Sequence, residues 1–182
     1  MEISREEPLR VLAADDSAVM REIMRKLFAM HEDDRLSRLP PMELCGVAQD
    51  GVECLEAVAR LTPDVLVLDL EMPRLNGLDV LDRLREENPG LPVIMCSSHT
   101  ERGARSTLEA LARGAADYVM KPSEQRNLTA ALQSLAQQLL PKIGRWLKAG
   151  GAGAKVRQRR LCRVRVAVER RRRGRKRRLR WW

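Results

Sequence analysis

The chain has 182 residues, 44% of them hydrophobic but only 3% aromatic, so any core is aliphatic and the length suits one domain with an appendage or two very small domains. The formal charge of +9 averages two unlike parts: 15 of the 34 Lys/Arg and one of the 25 Asp/Glu lie from Lys155 onward, so that tail carries +14 and the preceding 154 residues −5. No apolar run approaches the roughly 18–20 residues of a membrane span, and the charged "MEISREEPLR" start has no signal-like apolar core, so a cytoplasmic protein is expected. Four widely spaced cysteines (Cys45, Cys54, Cys96, Cys162) form no C-x-x-C pair, which argues against zinc and against a disulfide framework.

In chain order, strand and helix patterns alternate. "LRVLAAD" (Leu9 to Asp15) reads as a buried strand, and Ser17 can cap a helix whose Met20, Ile23, Met24, Leu27 and Phe28 share one face. "MELCGVA" (Met42 to Ala48) is a second strand, and Asp50-Gly51 turns into a helix marked by Leu55, Val58 and Leu61. "DVLVLDL" follows Pro63 as the third strand, with Leu78, Leu81 and Leu84 marking the next helix. "LPVIMCSS" and "ADYVMKP" are the fourth and fifth strands, with Leu108 and Leu111 suggesting the helix between them. A last helix carries Leu128, Ala131, Leu132, Leu135 and Leu139 on one stripe, and Pro141 ends or kinks it. Five short strands separated by helices predict an α/β fold, a doubly wound, five-stranded parallel sheet covered on both faces.

In such sheets ligands bind outside the carboxyl ends of the strands. Those ends carry Asp15-Asp16, Asp69, Ser97-Ser98 and Lys121-Pro122. Clustered carboxylates raise each other's pKa, a cost that a small hard cation removes. Mg²⁺ takes one or two carboxylates and leaves positions for phosphate oxygens. Lys121 can grip a phosphoryl oxygen and Ser97 can donate to another, so Asp69 becomes the candidate nucleophile and phosphoacceptor. Singly, each residue is most often a cap or a turn former. Five at the appropriate strand ends are much harder to assign to chance.

The pattern of Asp15-Asp16, Asp69 with Met72-Pro73 and Gly77, Ser97, Tyr118 and Lys121-Pro122 resembles a two-component response-regulator receiver domain over about residues 8–140. The strings "DDSAVMR", "LEMPRLNGLD" and "SSHTERGARSTLEALARGAADYVMKP" are similar to the receiver half of the chemotaxis protein-glutamate methylesterase (CheB type). The resemblance implies a flavodoxin-like receiver fold. It also implies that Asp16 and Asp69 bind Mg²⁺ directly, that Asp15 assists through water, and that the backbone carbonyl of Glu71 completes the set. By the same resemblance Ser97 and Lys121 hold the phosphoryl group, Tyr118 is the aromatic switch residue, the Lys121–Pro122 peptide is cis, and the Glu71 side chain influences hydrolysis of the aspartyl-phosphate. The implied partners are a chemotaxis-type sensor histidine kinase and a downstream protein meeting the face of the fourth helix, fifth strand and fifth helix.

The family's esterase half needs a serine, a histidine and an aspartate. After Lys142 the sequence has neither serine nor histidine, and no G-x-S-x-G elbow occurs anywhere. Ser98 and His99, adjacent on an extended segment, would point to opposite faces and form no dyad. The expectation is therefore a receiver at residues 1–140 without methylesterase activity, a linker at 141–154 and an Arg-rich tail at 155–182. With little hydrophobic pattern that tail should be disordered on its own. It reads either as a nucleic-acid contact, with Trp181 and Trp182 free to stack on bases, or as frameshifted text from a GC-rich gene that would leave a truncated methylesterase. The absence of a groove-reading motif and the break near Gly144 favour the second. A phosphatase using the same carboxylates is disfavoured, because Glu71 stands where a D-x-D plan has its second aspartate.

Overall fold

A computed structural model of the chain describes residues 8–33, 39–98, 101–122 and 127–148. His99, the glycine-rich stretch 149–154, the basic tail 155–182 and Cys162 lie outside the described residues. The described residues up to Leu147 belong to one unit of the chain.

Strands β1 (Leu9–Ala14), β2 (Met42–Ala48), β3 (Val65–Asp69), β4 (Val93–Ser97) and β5 (Asp117–Met120) form one parallel sheet in the order β2-β1-β3-β4-β5. They alternate with helices α1 (Ala18–Asp33), α2 (Gly51–Leu61), α3 (Gly77–Glu87), α4 (Glu101–Ala112) and α5 (Leu128–Lys148). Successive side chains on a strand point to opposite faces. Accordingly Val11, Ala13, Val65, Val67, Ile94 and Cys96 pack with α1 and α5. Their neighbours Leu12, Ala14, Leu66, Leu68, Val93 and Met95 pack with α2, α3 and α4. The continuous apolar runs follow from having both faces covered.

The helix starts are held by short polar side chains. Asp50 accepts from the amides of Val52 (2.9 Å) and Glu53 (3.0 Å), and Asn76 accepts from Asp79 (2.9 Å). Ser17 accepts from Met20 at 3.4 Å, as its position before α1 suggested.

Two of the expected elements take a particular form. Leu108 does mark a helix, but it lies on the outer side, 69% exposed. The face α4 turns to the sheet is Gly103, Thr107 and Ala110, spaced i, i+4, i+7 and small enough for close approach. Second, residues 141–148, read as the start of a linker, continue α5. An interior proline costs a helix about 3 kcal/mol or more. What offsets it is packing: Leu139, Leu140 and Ile143 are buried, and buried Gly144 sits where a Cβ would touch Pro40, Leu39 and Met42. Among the described residues no helix is long and apolar enough to cross a membrane.

Candidate functional site

The chain builds β2 on one side of β1 and then returns to build β3 on the other, which opens a crevice at their carboxyl ends. Asp15 and Asp16 follow the last residue of β1, Asp69 is the last residue of β3, Ser97 ends β4, and Lys121 follows β5. One ligand atom from each of Asp15, Asp16 and Asp69 falls within 4.8 Å of the others. Asp15 and Asp69 are each only 2% exposed, whereas Asp16 faces solvent.

Backbone bonds fix this acidic cluster. The Asp15 amide donates to the Ala48 carbonyl (3.1 Å), and its Oδ1 accepts from the Ser17 amide (2.9 Å). Arg21, one turn into α1, donates to the carbonyls of Asp15 (2.8 Å) and Asp16 (2.9 Å) and so holds the pair at the strand end. Sequence reading missed Arg21; its i+5 and i+6 spacing from the aspartates was the available signal.

On the other wall the loop after β3 is pinned at several points. Met72 is buried in the α2–α4 layer. Arg74, in left-handed conformation (φ 64°), pairs with buried Asp50 at the start of α2. The Gly77 amide donates to Leu70 O at 2.9 Å, and any Cβ on Gly77 would stand 2.2 Å from Asp69 O, so only glycine fits.

Lys121 Nζ stands 2.9 Å from Asp15 Oδ2 and 2.8 Å from Asp69 Oδ2. At that distance the ammonium is a charge-assisted partner to both buried carboxylates, and it is shared between them. Burial, reinforced by the neighbouring Asp15 and opposed by Lys121, pushes the Asp69 carboxyl up to about 6. Asp15 is raised for the same first reason, burial. Burial works against the charge on Lys121 too, but the two carboxylates prevail and hold it above the ordinary lysine range. One ammonium does not neutralise three carboxylates. Two buried carboxylates beside an exposed third, with a single ammonium among them, are the all-oxygen donor set that a small hard cation satisfies, so the residues fit Mg²⁺.

Asp16, Asp69, Leu70, Glu71, Ser98, Gly103, Ser106 and Lys121 line a cavity of about 130 Å³ above these groups. Ser97 is at the expected strand end but fully buried, and its hydroxyl donates to Gly103 O (3.1 Å) in the first turn of α4. Ser98 and Ser106 are the hydroxyl residues on the cavity wall. Tyr118 is on β5 and the residue is 40% exposed. Among the described residues no peptide bond is cis, so Lys121–Pro122 is trans, the form ordinarily favoured before proline by about 0.5–1 kcal/mol.

The response regulator receiver domain family matches residues 11–133. Among curated proteins the chain is 39% identical to a protein-glutamate methylesterase/protein-glutamine glutaminase of Pyrococcus abyssi over 159 residues, which is 87% of this chain and 40% of that protein. It is 42% identical to a Xanthomonas campestris protein of the same name over 138 residues, 76% of this chain and 36% of that one. The chain thus spans about two fifths of the length of these relatives, and the family match lies in their receiver part. Among solved structures it is similar to the response regulator domain of Thermotoga maritima CheB: 39% identity, TM-score 0.64, covering 78% of this chain and 98% of that one. Sheet order, strand-end carboxylates and sequence identity over nearly the whole of that domain agree, and the chain belongs to the response-regulator receiver family, in the form carried by protein-glutamate methylesterases.

Proposed function

We propose that this chain is the phosphoaccepting module of a chemotaxis-type two-component relay, taking a phosphoryl group onto Asp69 from a sensor histidine kinase in the cytoplasm. One observation carries the reading: Asp69 is a buried carboxylate 2.8 Å from a lysine ammonium, at the mouth of a cavity large enough for a phosphoryl group. An Asp69 oxygen attacks phosphorus; the O–P bond forms as the N–P bond of the phosphohistidine breaks, and the imidazole leaves with the electron pair and takes up a proton. Lys121 stabilises the charge on the transferred group, and Arg21 keeps Asp15 and Asp16 where they oppose it. Asp16 and Asp69 would hold Mg²⁺, with Asp15 through water and the Glu71 carbonyl as a further ligand; when bound it supplies charge neutralisation at the phosphoryl oxygens.

Ser97 is the further phosphoryl contact in this proposal, leaving Gly103 O to reach it, and Tyr118 is the residue whose ring follows. The altered α4–β5–α5 face then meets a downstream protein, and the chain acts as a regulator without esterase chemistry of its own. The receiver is taken to extend through α5, with the linker and basic tail after it. The test is intact mass after treatment with Mg²⁺ and acetyl phosphate. Wild type should gain one acid-labile phosphoryl group and Asp69→Ala none, and equal labelling of the two would overturn the assignment.

A further inference from the structure

On the outer edge of the sheet, α5 brings a cation onto the ring of Tyr118. Lys142 Nζ lies 4.9 Å from the ring centroid and donates to Tyr118 O (2.6 Å) and Asp117 Oδ1 (2.6 Å). The lysine follows Pro141, in the part of α5 that composition suggested was linker. We propose that Lys142 is a positioning residue that holds Tyr118 outward and so sets how readily the switch turns; this rests on the phosphoacceptor reading of Asp69 and the switch reading of Tyr118.

Rotation about the Tyr118 side-chain bonds separates ring from ammonium but moves neither hydrogen-bond acceptor, since one is a backbone oxygen and the other belongs to Asp117. Inward rotation therefore loses the cation–ring contact alone, while the two hydrogen bonds keep Lys142 in place to recapture the ring. A partly exposed cation–ring contact shifts such an equilibrium by about two- to fivefold. That is enough to favour the outward state of the unphosphorylated protein, and small enough for phosphoryl binding to overcome it.

Tyr118 is the chain's single tyrosine, so 3-fluorotyrosine labels one site. In metal-free protein, ¹⁹F NMR should show a smaller H₂O/D₂O solvent-isotope shift for Lys142→Met than for wild type, as the inward population rises about two- to fivefold. Lys142→Arg, which keeps a cation over the ring, should restore the wild-type value. Lys142→Gln, which keeps a donor to both oxygens but no charge, should behave as Lys142→Met, and it serves if the methionine variant fails to fold. The acetyl phosphate concentration for half-maximal labelling of Asp69 should fall by the same factor in the uncharged variants. An unchanged ring signal in folded, uncharged variants would overturn the proposal. A wild-type ring signal that does not move with Mg²⁺ and beryllofluoride would instead overturn the switch reading of Tyr118, while the metal-free comparison still decides what Lys142 does.

Discussion

At the end of β3 and along the outer edge of β5 the same sheet handles charge in opposite ways. The β3 end gathers three carboxylates around one ammonium in a buried crevice and leaves their negative charge in excess. At β5, half-buried Asp117 is met by two cations, Lys142 at 2.6 Å and Arg145 at 3.7 Å, and the chain's one tyrosine stands half in solvent beside them. The first region is destabilised by its own excess of negative charge, so any ligand that relieved that charge would act on it strongly. The second is held by contacts that are individually weak, so a small bias at the first can turn it. A receiver needs both: a site with a large unmet electrostatic demand, and a surface with shallow alternatives.

The largest expected effect comes from removing the ammonium that both buried carboxylates of the crevice share. Lys121→Met takes that ion pair from Asp15 and Asp69 together, and losing one member of a buried charged set costs about 3–5 kcal/mol. The deficit should be greatest near pH 8 and shrink toward pH 5, because protonated carboxyls need no counter-ion. Urea unfolding at the two pH values checks this; an equal deficit at both would mean that the site is not under charge strain and would dissolve the contrast with β5.

A smaller effect of opposite sign is expected at Asp69, the proposed phosphoacceptor. The Asp69 carboxyl rises from 3.8 to about 6 on folding, so the folded state holds its proton more tightly than the unfolded chain. The stability that this proton supplies is complete below about pH 4 and is lost as pH rises through about 6. Asp69→Asn, which never ionises, should therefore be the more stable protein at pH 7.5 in chelator, by about 1–3 kcal/mol, with the gain vanishing near pH 4. Saturating Mg²⁺ should close the gap from the other side by stabilising wild type. A less stable Asp69→Asn in chelator would show that Lys121 outweighs burial at this position.

These two regions were not equally legible in the amino-acid sequence. Asp15, Asp16, Asp69 and Lys121 were visible because strands end where apolar runs end, and a parallel sheet puts all those ends on one edge. The sheet itself was visible for the same reason. Its helices were less so: Leu108 drew attention as a large apolar residue, but α4 packs through Gly103, Thr107 and Ala110, whose small size leaves no periodic signal. Ser97 could be placed at its strand end, while the direction of its hydroxyl depends on the carbonyl of Gly103, six residues on. The partnership of Tyr118 with Lys142 spans 24 residues and a proline that argues locally for the end of a helix. Ile143 and Gly144 overrule that proline by packing against residues more than a hundred positions earlier. Local propensity cannot register a contact of that kind.

The smallest expected effect tests how shallow the β5 edge is. Arg145 is 75% exposed on its side chain and reaches Asp117 at 3.7 Å, beyond hydrogen-bonding distance, whereas Lys142 holds the other carboxylate oxygen at 2.6 Å. Exposed ion pairs contribute roughly 0–1 kcal/mol, because water and salt screen them and two long side chains must be ordered. With the nearer cation already in place, Arg145→Gln should change stability by less than about 0.5 kcal/mol. It should also leave the Tyr118 ring signal and Asp69 labelling at wild-type values. Chemical denaturation at low and moderate salt checks the first, and the fluorotyrosine spectrum checks the second. A loss above about 1 kcal/mol, fading as salt is added, would mean that Lys142, Asp117 and Arg145 act as one network. The tyrosine would then sit on a stiff support, and Lys142 alone would not set the ring's position.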